Sequence, residues 1–162
     1  MAFKVWSADF KDGATLPEAQ VFNGMGHKVG NVSPHLAWAD APTGTKSFVV
    51  TLYDPDAPTG SGWWHWTVAN IPASTTSLPR GSGSGQGGLP RGAVQGLTDF
   101  GTAQYGGAAP PPGSPHRYIF TVHALKVDHI DVDEHSSGAK VGFMTNMNRL
   151  ASVSITALYG VK

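Results

Sequence analysis

The chain has 162 residues, 11 basic and 11 acidic side chains and no cysteine, so its formal net charge is zero. The absence of cysteine excludes disulfide scaffolds, iron–sulfur clusters and cysteine nucleophiles, and the scattered lysines and arginines argue against nucleic-acid binding, which needs a basic surplus or stripe. The length suits one domain, which we expect to span residues 1–162, and the 21 glycines and 12 prolines favour many turns and few helices.

Short runs rich in β-branched and aromatic residues, separated by turn-forming residues, predict a succession of strands. In chain order these runs cover residues 3–7, 35–38, 47–53, 64–71, 117–125 and 152–159. The third run, SFVVTLY, is continuously apolar, which indicates a strand covered on both faces. A further short strand is expected near residues 93–97, because structureless loops longer than about 12–15 residues are uncommon.

A helical pattern is confined to residues 138–150, with Ser136 or Ser137 in the position of an N-cap. Apolar side chains recur there at three-residue steps: Val141, Met144, Met147 and Leu150. We interpret the two methionines as core packing rather than as ligands. One helix among many strands predicts a mainly β fold.

Polar and aromatic residues gather where two predicted strands meet. Strands adjacent in sequence usually pair, and an antiparallel pair of residues 47–53 and 64–71 would bring Asp54 to the edge where Trp63 and His65 enter the sheet. The connecting segment, DPDAPTGSGW, then folds over that edge. His116 begins its own strand and reaches the same edge if that strand runs antiparallel to residues 47–53 or parallel to residues 64–71.

Side-chain alternation along each strand predicts which residues share a face. His116, Tyr118 and Phe120 fall on one face of their strand. His65 shares a face with Thr67, and Trp64 and Trp66 point the other way and are expected in the core. The sheet edge then offers two imidazoles, a phenol and one or two carboxylates, those of Asp54 and Asp56.

Such an edge has the chemistry of an anion pocket. A carboxylate beside an imidazole favours the protonated ring, which raises the pKa of the histidine toward or past neutrality. Two donor imidazoles suit a phosphate or carboxylate group, and aromatic walls suit the apolar or planar body that carries it. The proline-rich loop at residues 108–116 supplies a stiff rim, because proline fixes φ.

Other interpretations of these residues remain open. Asp54 and Asp56 also fit turn formation, since Asp-Pro readily starts a turn. His65, His116 and Asp54 match a two-histidine-one-carboxylate metal site, and His65 could activate water as a general base in a hydrolase. The stretch GSGQGG at residues 83–88 fits a dinucleotide-binding motif but neither follows a predicted strand nor opens a helix, and no G-x-S-x-G elbow is present.

Three blocks of the sequence stand out: NVSPHLAW at 31–38, LYDPDAPTGSGWWHWTVANIP at 52–72 and YGGAAPPPGSPHRYIFTVHAL at 105–125. They resemble the phosphatidylethanolamine-binding protein family, also called Raf-kinase-inhibitor-like proteins, and in particular its bacterial cytoplasmic branch. The resemblance implies a β-sandwich with a few short peripheral helices and a small pocket for phosphate-like groups. Carried over residue by residue, that pocket falls on Asp54, Asp56, Trp63, His65, Pro111, His116 and Tyr118.

The resemblance also sets the functional expectations. We expect a binding module for phosphate-like or phospholipid-headgroup-like ligands that modulates a protein partner such as a kinase, with no metal, no cofactor and no catalytic residue. The alternatives are a hydrolase of esters or phosphoesters that uses the same pocket, and a protease or kinase inhibitor that acts through surface loops. The resemblance also implies a homodimer and a cis Ala57–Pro58 bond. The chain departs from the family in one place: Ala108-Ala109 stands where many members have Gly-Pro before the proline pair.

The sequence lacks the features of membrane insertion and secretion. No run approaches the roughly 20 apolar residues of a membrane span. The first residues, MAFKVWSADFKDG, lack the apolar centre of a secretory signal. We therefore expect a cytoplasmic protein that does not span a membrane.

Overall fold

Eight strands and one α-helix make up the regular structure of the computed structural model, which describes all 162 residues. The strands are β1 (Lys4–Trp6), β2 (Leu36–Ala39), β3 (Ser47–Asp54), β4 (Trp63–Pro72), β5 (Ser77–Leu78), β6 (Val94–Gln95), β7 (His116–Leu125) and β8 (Arg149–Tyr159), the helix is α1 (Gly138–Asn148), and single 3₁₀ turns lie at Glu18–Gln20 and Ser82–Ser84. The predicted mainly β fold is confirmed. Every predicted strand is present, and only β5 was not expected. The helix and the two 3₁₀ turns agree with the few short helices that the resemblance implies.

The strands form two antiparallel sheets. One has five strands in the order β6-β4-β3-β7-β8, and the other has three in the order β1-β2-β5. The predicted antiparallel pairing of β3 with β4 and β7 is confirmed, since Leu52 pairs with Trp66 on one side and with Phe120 on the other. Strand β3 therefore lies at the centre of the larger sheet.

The main core lies between the two sheets. Its cluster of 20 buried residues includes Trp38 and Leu78 from the smaller sheet and Phe48, Val50 and Leu52 from β3. Trp38 and Phe48 meet edge to face with their ring centroids 5.4 Å apart. Full burial of each such side chain stabilises the fold by roughly 1.5–3 kcal/mol.

A second, smaller core covers the other face of β3. Val49 and Ala69 from the sheet pack there with Val141 of α1 and with Ile130. Strand β3 is therefore buried on both faces, as its unbroken apolar sequence predicts. None of the helices is long and apolar enough to cross a membrane.

Helix α1 begins as predicted, because Ser137 caps it by accepting a hydrogen bond from the backbone N–H of Lys140 at 3.1 Å. The interpretation of the two methionines as core packing is wrong for Met147, which is 63% exposed. Leu150, expected at the end of the helix, is exposed and belongs to β8. A three-residue step falls short of the 3.6-residue turn, so the apolar stripe drifts around the helix. Thr145, four residues after Val141, takes the buried position instead.

Candidate ligand-binding site

A half-enclosed cavity of about 560 Å³ lies at the edge of the five-stranded sheet where β3 ends and β4 and β7 begin. Six of the seven site residues expected from the sequence line it: Asp54, Trp63, His65, Pro111, His116 and Tyr118. The antiparallel order of the three strands brings these positions together, although Asp54 and His116 are 62 positions apart along the chain.

The carboxylate of Asp54 holds the imidazole of His116. Asp54 is the last residue of β3 and is buried. Its Oδ2 accepts a hydrogen bond from Nδ1 of His116 at 2.8 Å, and its Oδ1 accepts one from the backbone N–H of Asp56 at 2.8 Å. Because Nδ1 of His116 is committed to the carboxylate, Nε2 is the ring nitrogen left for a ligand.

A β-bulge at His65 directs the imidazole of this residue toward the cavity. Leu52 pairs with Trp66, but the next residue of β3, Tyr53, pairs with Trp64. Strand β4 therefore carries one extra residue at this point, and that residue is His65. Such a bulge breaks the regular alternation of side chains and re-aims the residues around it.

The bulge overturns the predicted arrangement of faces on β4. The ring of His65 lies edge-on to Tyr118 with the centroids 5.3 Å apart, and both residues line the cavity. Thr67, which was expected to share a face with His65, lies instead on the face that carries α1, close to Val141. Of the two expected core tryptophans, Trp66 is fully buried and Trp64 is half-buried.

His65 is held as a neutral ring of defined tautomer. Its Nδ1 lies 2.8 Å from the carbonyl oxygen of Gly106 and 3.1 Å from that of Gly107. Carbonyl oxygens only accept hydrogen bonds, so Nδ1 carries the proton. Burial lowers the pKa of His65 to about 4, against the opposing attraction of Asp54. The expectation of a raised histidine pKa is therefore wrong for His65, because the loss of hydration outweighs the carboxylate.

Two buried hydrogen-bond donors at the cavity have no partner. They are the indole Nε1–H of Trp63 and the hydroxyl of Tyr118, whose side chain is fully buried. The hydroxyl lies near the Asp54 carboxylate but outside hydrogen-bond geometry. Burial and the negative charge of Asp54 raise the pKa of Tyr118 well above its usual value, so the hydroxyl keeps its proton. A buried donor left unpaired costs about 1–3 kcal/mol, which a suitable acceptor would recover.

Aromatic rings and prolines form the walls of the cavity. Phe100 lies edge-on to His65 and to Trp63, with centroid distances of 5.3 and 5.4 Å. Pro111 and its proline neighbours form the rim. The lining residues that sequence reasoning missed include Phe100, Met25 and His27. They lie in loops, and no local pattern in the sequence indicates that these loops return to the sheet edge.

Asp56 lies outside the cavity lining. Its carboxylate accepts hydrogen bonds from the backbone N–H of Arg117 at 2.9 Å, from Nε at 3.0 Å and from Nη2 at 2.9 Å. The side-chain hydrogen bond from Arg117 is the main reason that the pKa of Asp56 is lowered to about 2. The carboxylate is thus engaged by Arg117 rather than directed at the cavity.

The turn that follows β3 differs from the expectation in one peptide bond. The Ala57–Pro58 bond, expected to be cis, is trans. The hydrogen bond from the Asp56 N–H to Asp54 connects the two aspartates without a cis bond.

The structure contains no group of three or more histidine, aspartate or glutamate side chains that could hold a metal ion. The alternative of a two-histidine-one-carboxylate site therefore lacks the grouping of ligands that it requires.

Comparison with known proteins places this geometry in a family. The family model described as phosphatidylethanolamine-binding protein matches residues 6–160. The chain is 62% identical to the protein YbhB of Escherichia coli K12 over 156 residues, which is 96% of this chain and 99% of YbhB. It is 56% identical to YbcL of the same organism over 163 residues, 99% of this chain and 89% of YbcL.

Solved structures agree with the sequence matches. The crystal structure of E. coli YbcL, described as a new member of the mammalian PEBP family, has a TM-score of 0.97 to this chain at 55% identity, with both chains fully covered. A homologue from Chlamydia trachomatis, CT736, has a TM-score of 0.81 at 27% identity, with 99% of each chain covered. The chain belongs to the phosphatidylethanolamine-binding protein family.

Proposed function

We propose that the cavity binds a phosphate-like anionic group carried on a small apolar or planar body. The observation that carries this proposal is the pair of buried, unpaired donors, the Nε1–H of Trp63 and the hydroxyl of Tyr118, next to two imidazoles. A phosphate oxygen is a strong acceptor and suits both donors. The family's name points to the same chemistry, because the headgroup of phosphatidylethanolamine contains a phosphate.

His116 is placed to donate to such a ligand from Nε2. Its Nδ1 is bound to the Asp54 carboxylate, so a proton added at Nε2 makes an imidazolium whose charge the carboxylate balances. The imidazolium then donates to the ligand from Nε2. Charge-assisted hydrogen bonds of this kind contribute about 1.5–3 kcal/mol each.

His65 sets a condition on the ligand. Its Nδ1–H is committed to the carbonyl of Gly106, so the neutral ring presents a lone pair at Nε2. A lone pair and a bare phosphate oxygen repel each other, so a proton has to lie between them. A phosphate monoester, whose second pKa is about 6, brings or takes up that proton near neutral pH.

The size of the cavity indicates more than a bare anion. A volume of about 560 Å³ lies within the usual range for organic ligands and exceeds the needs of a phosphate group. Phe100 and the proline rim offer apolar contact to the rest of the molecule. A phosphorylated small molecule and a phospholipid headgroup share this chemistry, and the experiment below separates them.

The test is calorimetric titration, together with melting-temperature measurements, using three probes. These are inorganic phosphate, the monoester phosphoethanolamine and the diester glycerophosphoethanolamine. We expect the monoester to bind more tightly than the diester and to raise the melting temperature, because it stabilises the folded state by mass action. The absence of heat and of any melting shift with all three probes at tens of millimolar would overturn the proposal.

A tryptophan pair provides the matched control. Trp63→Phe keeps an aromatic ring but removes the Nε1–H, and we expect it to weaken phosphoethanolamine binding by about tenfold or more. Trp6→Phe makes the same change at an exposed position outside the cavity and should leave the affinity unchanged. Equal effects of the two variants would count against Trp63 as a ligand contact.

A hydrolase is the second candidate, and the Asp54–His116 hydrogen bond favours it. A carboxylate that orients an imidazole is the usual arrangement of a general base. The test is turnover of p-nitrophenyl phosphate and p-nitrophenyl acetate, with His116→Ala as the inactive variant. No turnover above background, or equal turnover by His116→Ala, would exclude this candidate.

A further inference from the structure

A second cavity, of about 460 Å³, lies on the other face of the five-stranded sheet, between β3, β7 and α1. It shares no lining residue with the first. We propose that this cavity binds a small uncharged molecule with an aromatic body and one hydroxyl or amide group. The proposal does not depend on the function of the first cavity.

Unpaired polar atoms in the wall indicate a ligand with a hydrogen-bonding group. The hydroxyl of Thr145 on α1 is buried and has no partner, and the residue is only 1% exposed. A threonine in a helix commonly bonds the carbonyl four residues earlier, but Thr145 does not. The Nδ1 of His123 is also buried and unpaired, while its Nε2 lies 3.1 Å from the hydroxyl oxygen of Thr51. A ligand hydroxyl both donates and accepts, so it can pair with either atom.

The charge of the wall excludes ionic ligands. No aspartate, glutamate, lysine or arginine lines the cavity. Burial, with a smaller contribution from the positive charge of Arg149, lowers the pKa of His123 to about 4, so this ring is neutral at pH 7. An ion entering the cavity would lose its hydration without gaining a counter-charge. The wall therefore favours an uncharged molecule.

The aromatic residues of the wall favour a ligand with an aromatic body. Tyr53 and Trp64 lie with their ring centroids 4.5 Å apart on the sheet side. Ala139 and Gly142 of α1 also line the cavity, and the helix lies close to Trp64 here, since a Cβ added at Gly142 would lie 3.9 Å from its ring. Phe143, which is mostly exposed, adds a third aromatic ring to the lining. Aromatic walls of this kind suit a planar aromatic ligand.

The probe is phenol, which is neutral at pH 7, with benzoate and toluene as charged and non-polar comparisons. We expect amide shifts in ¹H–¹⁵N spectra to localise phenol to α1, β3 and β7. Thr145→Val keeps the shape and removes the hydroxyl, and it should weaken phenol binding at least several-fold. Thr67→Val is the matched control, because the Thr67 hydroxyl is also buried and unpaired but lies outside this cavity.

A second variant tests the cavity without removing a polar group. Gly142→Ala places a methyl group against Trp64 at ordinary contact distance, so it should weaken phenol binding while raising the melting temperature through better helix propensity. Three results would each overturn the proposal: no phenol shifts at tens of millimolar, benzoate or toluene binding as well as phenol, or Thr67→Val and Thr145→Val weakening binding equally.

Discussion

The Nδ1–H of His116 donates a hydrogen bond to Oδ2 of Asp54 across the ends of two neighbouring strands, at 2.8 Å. The other carboxylate oxygen accepts the backbone N–H of Asp56, so both oxygens of Asp54 act as acceptors at the same time. Only a carboxylate meets both demands, because an amide has one acceptor oxygen and one donor nitrogen. The pair therefore fixes which nitrogen of His116 is available to the cavity.

The variant Asp54→Asn should change the tautomer of His116. With its oxygen kept on the Asp56 amide, the new NH₂ group faces Nδ1 and moves the ring proton to Nε2. In the free protein, the ¹⁵N chemical shifts of the two nitrogens of the neutral ring should exchange. Phosphoethanolamine affinity should fall by about tenfold or more, since the imidazolium that donates to the bound ligand loses its counter-charge. An unchanged ¹⁵N pattern would contradict this description of the pair.

Tyr118→Phe should lower ligand affinity without lowering stability. The hydroxyl that it removes has no partner in the structure, so the melting temperature should stay the same or rise. Calorimetry should show weaker binding of phosphoethanolamine. Loss of stability in this variant would mean that the hydroxyl has a partner within the protein.

Tyr105→Phe serves as the control for Tyr118→Phe. The Tyr105 hydroxyl donates to the backbone carbonyl of Gln20 at 2.7 Å, and both groups are buried. Its removal should lower the free energy of unfolding by about 1–3 kcal/mol and leave ligand affinity unchanged. Urea unfolding and the same calorimetric titration measure the two effects.

The stability of the protein should fall in mild acid. Burial lowers the pKa of His65 and of His123 from an ordinary 6.5 to about 4, so between these values the unfolded chain binds more protons than the folded one. The stabilisation is therefore complete above pH 6.5 and is lost as the pH falls toward 4, with a slope of up to about 1.4 kcal/mol per pH unit for each histidine.

Urea unfolding at pH 7, 6 and 5 measures this slope. His65→Gln removes one of the two groups and should reduce the slope between pH 6 and 5 by about half. His35→Gln, a change at a histidine that lines neither cavity, is the comparison. A slope that is equal in wild type and His65→Gln would show that the ring is not held neutral by burial.

Arg117→Gln should release Asp56. The guanidinium hydrogen bonds hold the pKa of Asp56 at about 2, so their loss should move it back toward 3.8. A ¹³C titration of the carboxyl carbons follows the change directly. Lys4→Gln, which removes a cation paired with Asp40 elsewhere on the surface, should leave Asp56 unaffected.

The sequence predicts the strands and the meeting of the site residues because both depend on local patterns. Apolar β-branched runs mark β3, β4 and β7, and antiparallel pairing then brings Asp54, His65 and His116 to one edge. This prediction needs no knowledge of the exact register. It is enough that each residue stands at the end of its strand.

The direction of each side chain and its protonation depend on contacts that the sequence does not show. The bulge at His65 arises because Tyr53 pairs with Trp64 rather than with His65. This register depends on contacts between the two strands and not on the local sequence of either one. The low pKa of His65 follows from complete burial beneath loop residues such as Gly106 and Phe100. Those loops carry no pattern that places them at the sheet edge.

The extra residue in β4 has a consequence for how this chain tolerates insertions and deletions. Without the bulge, the regular ladder would set His65 opposite Tyr53, and the imidazole would emerge on the helix side of the sheet. Deleting Trp64 would keep His65 in the strand but give it this register, so the imidazole would no longer line the cavity. The number of residues in this part of β4, and not only their identity, therefore decides whether His65 lines the cavity.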